Sequence, residues 1–456
     1  MWAQQSTVQP RITQAVDEAK ITTLRGNTHP LARAKFDRGA APSTLPLERM
    51  LLVLKRSPEQ DSALLRLLDE QQDKSSPNYH KWLTPEAFGK RFGPADADIQ
   101  AVTSWLQTHG FQVAKVSKGR TVVEFSGTAA MVDEAFHTQI HRYLVNGDPH
   151  WANASDPQIP TALTPVVAGV WTMHDFVKKP MLRMSNDRFP LSHQPGSEKP
   201  FATAPNGAHF LAPGDFAVIY GLNPVYQAGI NGNRVNIAVV ARSDFNTTDL
   251  SSFENIFGLP SSPVMFTQDG PDPGNLGGGE EAEAVLDATW SSALAPGAVI
   301  QFVVSASTDT TDGADLSAVY IVDNDLGDVM TESFGICEPN VTSTQLAGFS
   351  AVSEQAAAQG ITYLVATGDT GSSGCDNLNE TVATGPIAVS ALASTAFNTA
   401  VGGTIFNENG NDSVYWSSNT NTPSPLSNTF PKTFGTKAVP PLRAAAMPTS
   451  PRVAAE

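Results

Sequence analysis

No histidine follows His209 in this chain of 456 residues. Between 205 and 424 there is no lysine either, and Arg234 and Arg242 stand against 24 aspartates and glutamates. That stretch carries −22, and because the whole chain carries −16, the remainder carries +6. So acidic a segment is a poor partner for phosphate backbones, which need lysine and arginine. With no local imidazole, any proton transfer there falls to carboxylates. Cys337 and Cys375 are the only cysteines, which allows one disulfide at most and rules out a cysteine-only zinc cage. No apolar run reaches the ~18 residues of a membrane span. Met1-Trp-Ala-Gln-Gln-Ser lacks a basic segment followed by an apolar one, so no intact signal peptide is visible.

What is present divides in two. Residues 1–45 are polar and punctuated by Pro and Gly, and read as an extended lead-in. Leu47–Arg56 reads as a strand and Pro58–Asp73 as a helix with Leu64, Leu65, Leu67 and Leu68 inward. A helix over 96–109, strands over 111–116 and 121–125, a helix over 128–137 and a strand over 139–145 follow, with 165–172 as a short closing helix. This order predicts a ferredoxin-like α+β domain with an inserted helix over 46–177. Prolines recur through 178–213, which reads as an exposed linker holding a processing site. From 214 to about 420 strands alternate with helices, the grammar of a parallel α/β sheet whose chemistry gathers beyond the carboxyl ends of its strands. Residues 421–456 are proline-rich and basic, and read as foreign to the fold and disordered. The +6 and −22 portions should attract each other near neutral pH and release in acid.

The stretch Gly277-Gly-Gly-Glu-Glu-Ala-Glu-Ala-Val-Leu-Asp287 feeds a glycine run into a helix. Glu283 and Asp287, four apart, share a face, and burial of the pair would raise at least one pKa. The competing reading is a solvated acidic first turn that suits the helix dipole, which fits Glu280 and Glu281. Asp369, in Thr367-Gly-Asp-Thr-Gly-Ser-Ser-Gly-Cys375, follows a strand end and joins the candidates; alternatively it closes an Asx turn. Asp323, Asp325 and Asp328 read as a solvated helix end more readily than as calcium ligands. His80 and Trp82 read as core rather than ligands.

These residues resemble the sedolisin–kumamolisin family of serine-carboxyl peptidases with its activation propeptide. The resemblance rests on Tyr79-His-Lys-Trp-Leu-Thr-Pro85, Phe88-Gly-Lys-Arg-Phe-Gly93 and Val123-Glu-Phe-Ser-Gly-Thr128 in the first part. In the second it rests on Glu283-Ala-Val-Leu-Asp287 with Trp290, Ala293-Leu-Ala-Pro-Gly297, Ser333-Phe-Gly335, Gly368-Asp-Thr-Gly371 and Ala400-Val-Gly-Gly-Thr404. It implies a subtilisin-like α/β catalytic domain, incomplete here, with Glu283 as general base, Asp287 as the acid orienting it and Asp369 as the oxyanion-site acid. It also implies a secreted protein, hence a Cys337–Cys375 disulfide. The family's Gly-Thr-Ser-x-x-x-Pro nucleophile segment does not occur in the sequence, nor does its aspartate-built calcium site, so no cofactor or metal is expected. The end therefore reads as truncated or frameshifted.

The reading is a secreted, acid-active peptidase precursor, itself inactive for want of the serine. Its partners are a peptide or protein substrate and its own propeptide, with no nucleic acid and no membrane. The alternative is a non-catalytic, propeptide-like binder or inhibitor of related peptidases.

Overall fold

The computed structural model describes residues 8–180, 182, 212–376, 382–406 and 432–433. Most of the predicted linker and of the predicted tail lies outside these residues. Lys432–Thr433, from that tail, pairs antiparallel with Ile405–Phe406. Among the described residues no helix is long and apolar enough to cross a membrane.

The leading part is built on a four-stranded antiparallel sheet in the order Gln112–Val116, Val122–Thr128, Pro46–Leu54, Val167–Val170. Two helices follow the predicted pattern closely. Pro58–Gln72 opens on a capping box in which Ser57 Oγ accepts from Gln60 N–H and Gln60 Oε1 accepts from Ser57 N–H. Its buried stripe is Leu64, Leu67, Leu68 and Gln71; Leu65, expected inward, is 48% exposed because it lies about 100° off that stripe. Asp96–Thr108 lays Val102, Trp105 and Leu106 on the sheet.

Three expectations change. The 165–172 segment is not a helix: after a short 3-10 turn at Thr161–Leu163, Val167–Val170 is an edge strand. Its β-branched residues suit a strand, and Gly169 there passes so close to Thr344 and Asn27 that a Cβ would sit 2.3 Å and 2.5 Å from their side-chain oxygens. The strand over 139–145 does not close the main sheet. Ile140–Val145 joins Asp37–Ala40 and Asp148–Asn153 in a separate three-stranded sheet. Asn146 and Gly147 turn that hairpin, both at positive φ (54° and 97°), the usual Asn-Gly signature. The lead-in is extended but not loose: Ile21–Thr23 pairs with Gln158–Pro160, and Asn27 bonds Val170 through both side-chain groups.

The trailing part is a six-stranded, wholly parallel sheet in the order Val264–Gln268, Val299–Val304, Asn236–Ala241, Val329–Glu332, Thr362–Ala366, Thr399–Val401. Helices Thr247–Phe257, Gly278–Leu294, Gly313–Asp323 and Ser343–Gln359 connect the strands. Thr247–Phe257, capped by Asn246 and ended by Gly258, was not predicted, although Leu250, Phe253 and Phe257 recur at helical spacing.

The two parts share one core. Leu51, Val53, Val122 and Trp171 of the first pack with Ala238, Val319, Phe349 and Val352 of the second. Trp171 lies edge-on to Phe349 and covers Gly348, where a Cβ would come within 2.5 Å of the indole. Trp82, expected in the core, instead spreads over Gly360 across the same joint and stays 39% exposed, stacked on His80. Charge reinforces the joint. Arg49 donates to Asp269 Oδ2 (2.7 Å) and to its carbonyl (2.7 Å) while also holding Glu124, and Lys115 reaches Asp269 at 3.3 Å. Asp323 accepts from Gly119 N–H, and Asp328 from Asn236 N–H, so neither is merely a solvated helix end.

Because the core is common, Trp171→Ala should lower the stability of the whole chain by about 3–5 kcal/mol. It should do so in one cooperative urea transition seen alike by far-UV circular dichroism and tryptophan fluorescence. Two separated transitions would contradict a shared core.

Candidate active site

The helix that organises the site begins where Gly277 and Gly278 take positive φ (70° and 57°), a turn that side chains with a Cβ resist. Its first turn is not simply solvated. Glu280 is gripped by Arg242 through two hydrogen bonds of 2.9 Å and 2.7 Å, and Glu281 accepts from Asn275. One turn on, Glu283 is 3% exposed and its Oε2 has no hydrogen-bond partner among the described residues. Asp287 accepts from Ser333 Oγ at 2.8 Å.

Burial is the main force on both acids. It pushes Glu283 up to about 8, helped by the charges of Asp287 and Asp369 and opposed by the Ser333 hydroxyl. Asp287 is driven to about 7 by burial, with Ser333 pulling down and Glu332 adding repulsion. Asp369 follows strand Thr362–Ala366 and Ser333 follows Val329–Glu332, so both stand at the carboxyl edge of the parallel sheet. The structure thus brings the three predicted acids into one electrostatic group. Gly368, at φ 100°, turns the chain into the Asp369 loop. Cys337 and Cys375 are bonded, with Cα atoms 5.0 Å apart, tying this loop to the segment just beyond Ser333.

Two participants went unrecognised in the sequence. Ser333 figured there only as part of a motif; its position after a strand and before Phe334-Gly335 was the available signal. Lys178, read as the first linker residue, is buried. Its Nζ donates to Asp315 Oδ1 (2.6 Å) and Glu332 Oε1 (2.7 Å), and its N–H to Asp312 Oδ2 (2.9 Å). Arg242 completes the group by donating to Asp312 Oδ1 at 2.9 Å. Burial disfavours the charged ammonium, but Asp315 and Glu332 outweigh it and hold Lys178 above its ordinary range. Burial pushes Asp315 up to about 7 against the pull of Lys178. Among the described residues no group of three or more His, Cys, Asp or Glu could hold a metal ion.

Glu283 gives a signed test. A folded-state value of about 8 against an ordinary 4.5 means the folded chain holds a proton that the unfolded chain releases between those limits. Its contribution is therefore favourable near pH 4 and is lost as pH rises through 8. Glu283→Gln should match the parent near pH 4 and exceed it at pH 8 by a few kcal/mol, at about 1.4 kcal/mol per pH unit. Urea melts at both pH values would show it; an equal gap at both would contradict the buried, neutral carboxyl.

Residues 34–176 match the family described as pro-kumamolisin, activation domain. Xanthomonalisin of Xanthomonas sp. (strain T-22) is 29% identical over 79% of this chain and 45% of its own length. Sedolisin of Pseudomonas sp. (strain 101) is 26% identical over 69% of this chain and 54% of its own. A solved Pseudomonas sedolisin, complexed with two molecules of pseudo-iodotyrostatin, aligns at 24% identity over 43% of this chain and 54% of that one, with a TM-score of 0.35. The chain spans about half the length of the two curated relatives. The chain thus carries a pro-kumamolisin activation domain over 34–176 and is similar over most of its length to the serine-carboxyl peptidases sedolisin and xanthomonalisin.

Proposed function

We propose that the chain is built as the precursor of an acid-active serine-carboxyl endopeptidase, with residues 46–177 as propeptide and 214–420 as part of the catalytic domain. The observation carrying this is that Glu283 feels the charges of both Asp287 and Asp369, with Ser333 bonded to Asp287, at the sheet's carboxyl edge. A ferredoxin-like propeptide is supported by the order of its four antiparallel strands. A subtilisin-like plan is supported by the parallel sheet with its acids beyond the strand ends. An oxidising, extracellular setting is supported by the Cys337–Cys375 bond.

In this reading Glu283 takes the proton of a serine hydroxyl as that oxygen attacks the peptide carbonyl. Asp287 orients Glu283 and shares its proton, and Ser333 holds Asp287 in place. Asp369, protonated in acid, donates to the developing oxyanion. Glu283 then returns the proton to the departing amine, and water repeats the cycle on the acyl-enzyme. A base must be ionised, and burial is what keeps Glu283 protonated here. Strand Lys179–Pro180 lies against the carboxylate helix, so releasing this strand along with the propeptide would hydrate the pair and lower both values.

The sequence contains no Gly-Thr-Ser-x-x-x-Pro segment, so the chain alone does not supply the serine and does not complete acyl transfer. A second reading is an inhibitor-like role for the propeptide, favoured by its buried Arg49 and by Lys178 just beyond it, both paired with the acidic part.

Joining residues 1–404 to the nucleophile-bearing segment of Pseudomonas sedolisin should give a chimera that hydrolyses a quenched fluorogenic peptide near pH 4. Glu283→Ala in it should lower kcat/KM by roughly 10²–10⁴-fold. Undiminished turnover in the variant would end the general-base assignment.

A further inference from the structure

Lys178 sits in a compartment whose charged walls come from the trailing part, while Trp171, Thr172, His174 and Phe176 of its own part line the rest. Asp315 and Glu332 form two sides, and the Phe349 ring a third, 5.5 Å from Nζ. The side chains are sealed: 3% exposed for Lys178, 6% for Asp315 and 0% for Glu332. Tyr363 donates to the second oxygen of Glu332 at 2.5 Å, and Arg242 is committed to Asp312 and Glu280. Neither can take the place of the ammonium. Emptied of its cation, the cage would strand two buried carboxylates, a costly state.

The lysine arrives on an extended strand. Lys179 pairs antiparallel with Gly335, and Pro180 with Phe334. This is strand addition: main-chain pairing holds the segment, and a pocket reads one side chain. The register runs toward the chemistry, since the residue before Phe334 is Ser333, which bonds Asp287. A peptide in this groove would place its basic residue upstream of the residues that approach the acids.

We propose that this cage is a recognition subsite for a lysine or arginine of an extended peptide paired to Phe334–Gly335, filled in this chain by its own Lys178. The proposal rests on the reading of the carboxylate cluster as a peptide-cleaving site and adds the substrate class, peptides with a basic residue to the amino side of the scissile bond.

The test is Lys178→Ala in the full chain, melted at pH 7 with n-butylammonium chloride against sodium chloride and tetramethylammonium chloride at equal ionic strength. The primary amine should raise the melting temperature saturably in the variant, and not in the parent, whose cage is full. By calorimetric titration, capped Val-Lys-Lys-Pro should bind the variant at least ~10-fold more tightly than the same peptide with norleucine for its first lysine. An amine effect equal in both chains, no amine effect, or equal binding of the two peptides would overturn the proposal. Should the alanine variant not fold, Lys178→Arg should melt near the parent and Lys178→Met about 10 °C lower; a methionine variant as stable as the parent would overturn it equally. All are binding or stability measurements, so a failure of the peptidase reading would show in the chimera assay and leave these readouts unaffected.

Discussion

Two buried cations, Arg242 and Lys178, hold together a patch of four carboxyl groups at the heart of the molecule: Glu280, Asp312, Asp315 and Glu332. Left to itself, the acidic part has one arginine for this patch and would have to protonate or expose the excess. The second cation comes from the leading part. The geometry of Asp287 depends on this balance, because Ser333, which holds it, follows directly on Glu332. The fold is thus completed electrostatically by residues from both halves, and the apolar joint around Trp171 seals the arrangement from water.

Asp312 and the acids proposed for catalysis stand close together, and a counter-ion separates them. Asp312 meets Arg242 and Lys178 and stays below the ordinary carboxyl range despite its burial. Glu283 and Asp287 meet no cation and rise to about 8 and about 7. A buried acid denied a counter-ion costs stability, and such uncompensated groups concentrate where proton transfer is required.

Much of this was legible in the chain. The periods of 58–72 and 96–108 were strong enough to place those helices within a residue or two, the alternation beyond 214 announced the parallel sheet, and the i, i+4 spacing put Glu283 and Asp287 on one face. The missing pieces share a cause. Lys178 sits among prolines and basic residues whose composition resembles a linker, yet its place is set by acids more than 130 residues away, which no local pattern encodes. Val167–Val170 was misread for the same reason: a short edge strand gets its identity from its neighbour, not from its own period. Ser333 carries no signature beyond following a strand. Asn146-Gly147, by contrast, was a readable hairpin signal that outweighs the expectation of a single sheet.

The Cys337–Cys375 bond closes a loop spanning 38 positions that contains helix Ser343–Gln359 and strand Thr362–Ala366. On chain-entropy grounds such a closure is worth roughly 4 kcal/mol to the folded state. It also makes the position of Asp369 answer to redox conditions. In a thiol-rich compartment the Asp369 loop would lose its tether to the groove edge, whereas the Glu283–Asp287 helix would keep its shape. The loop would then be held in place only once the chain had reached oxidising surroundings.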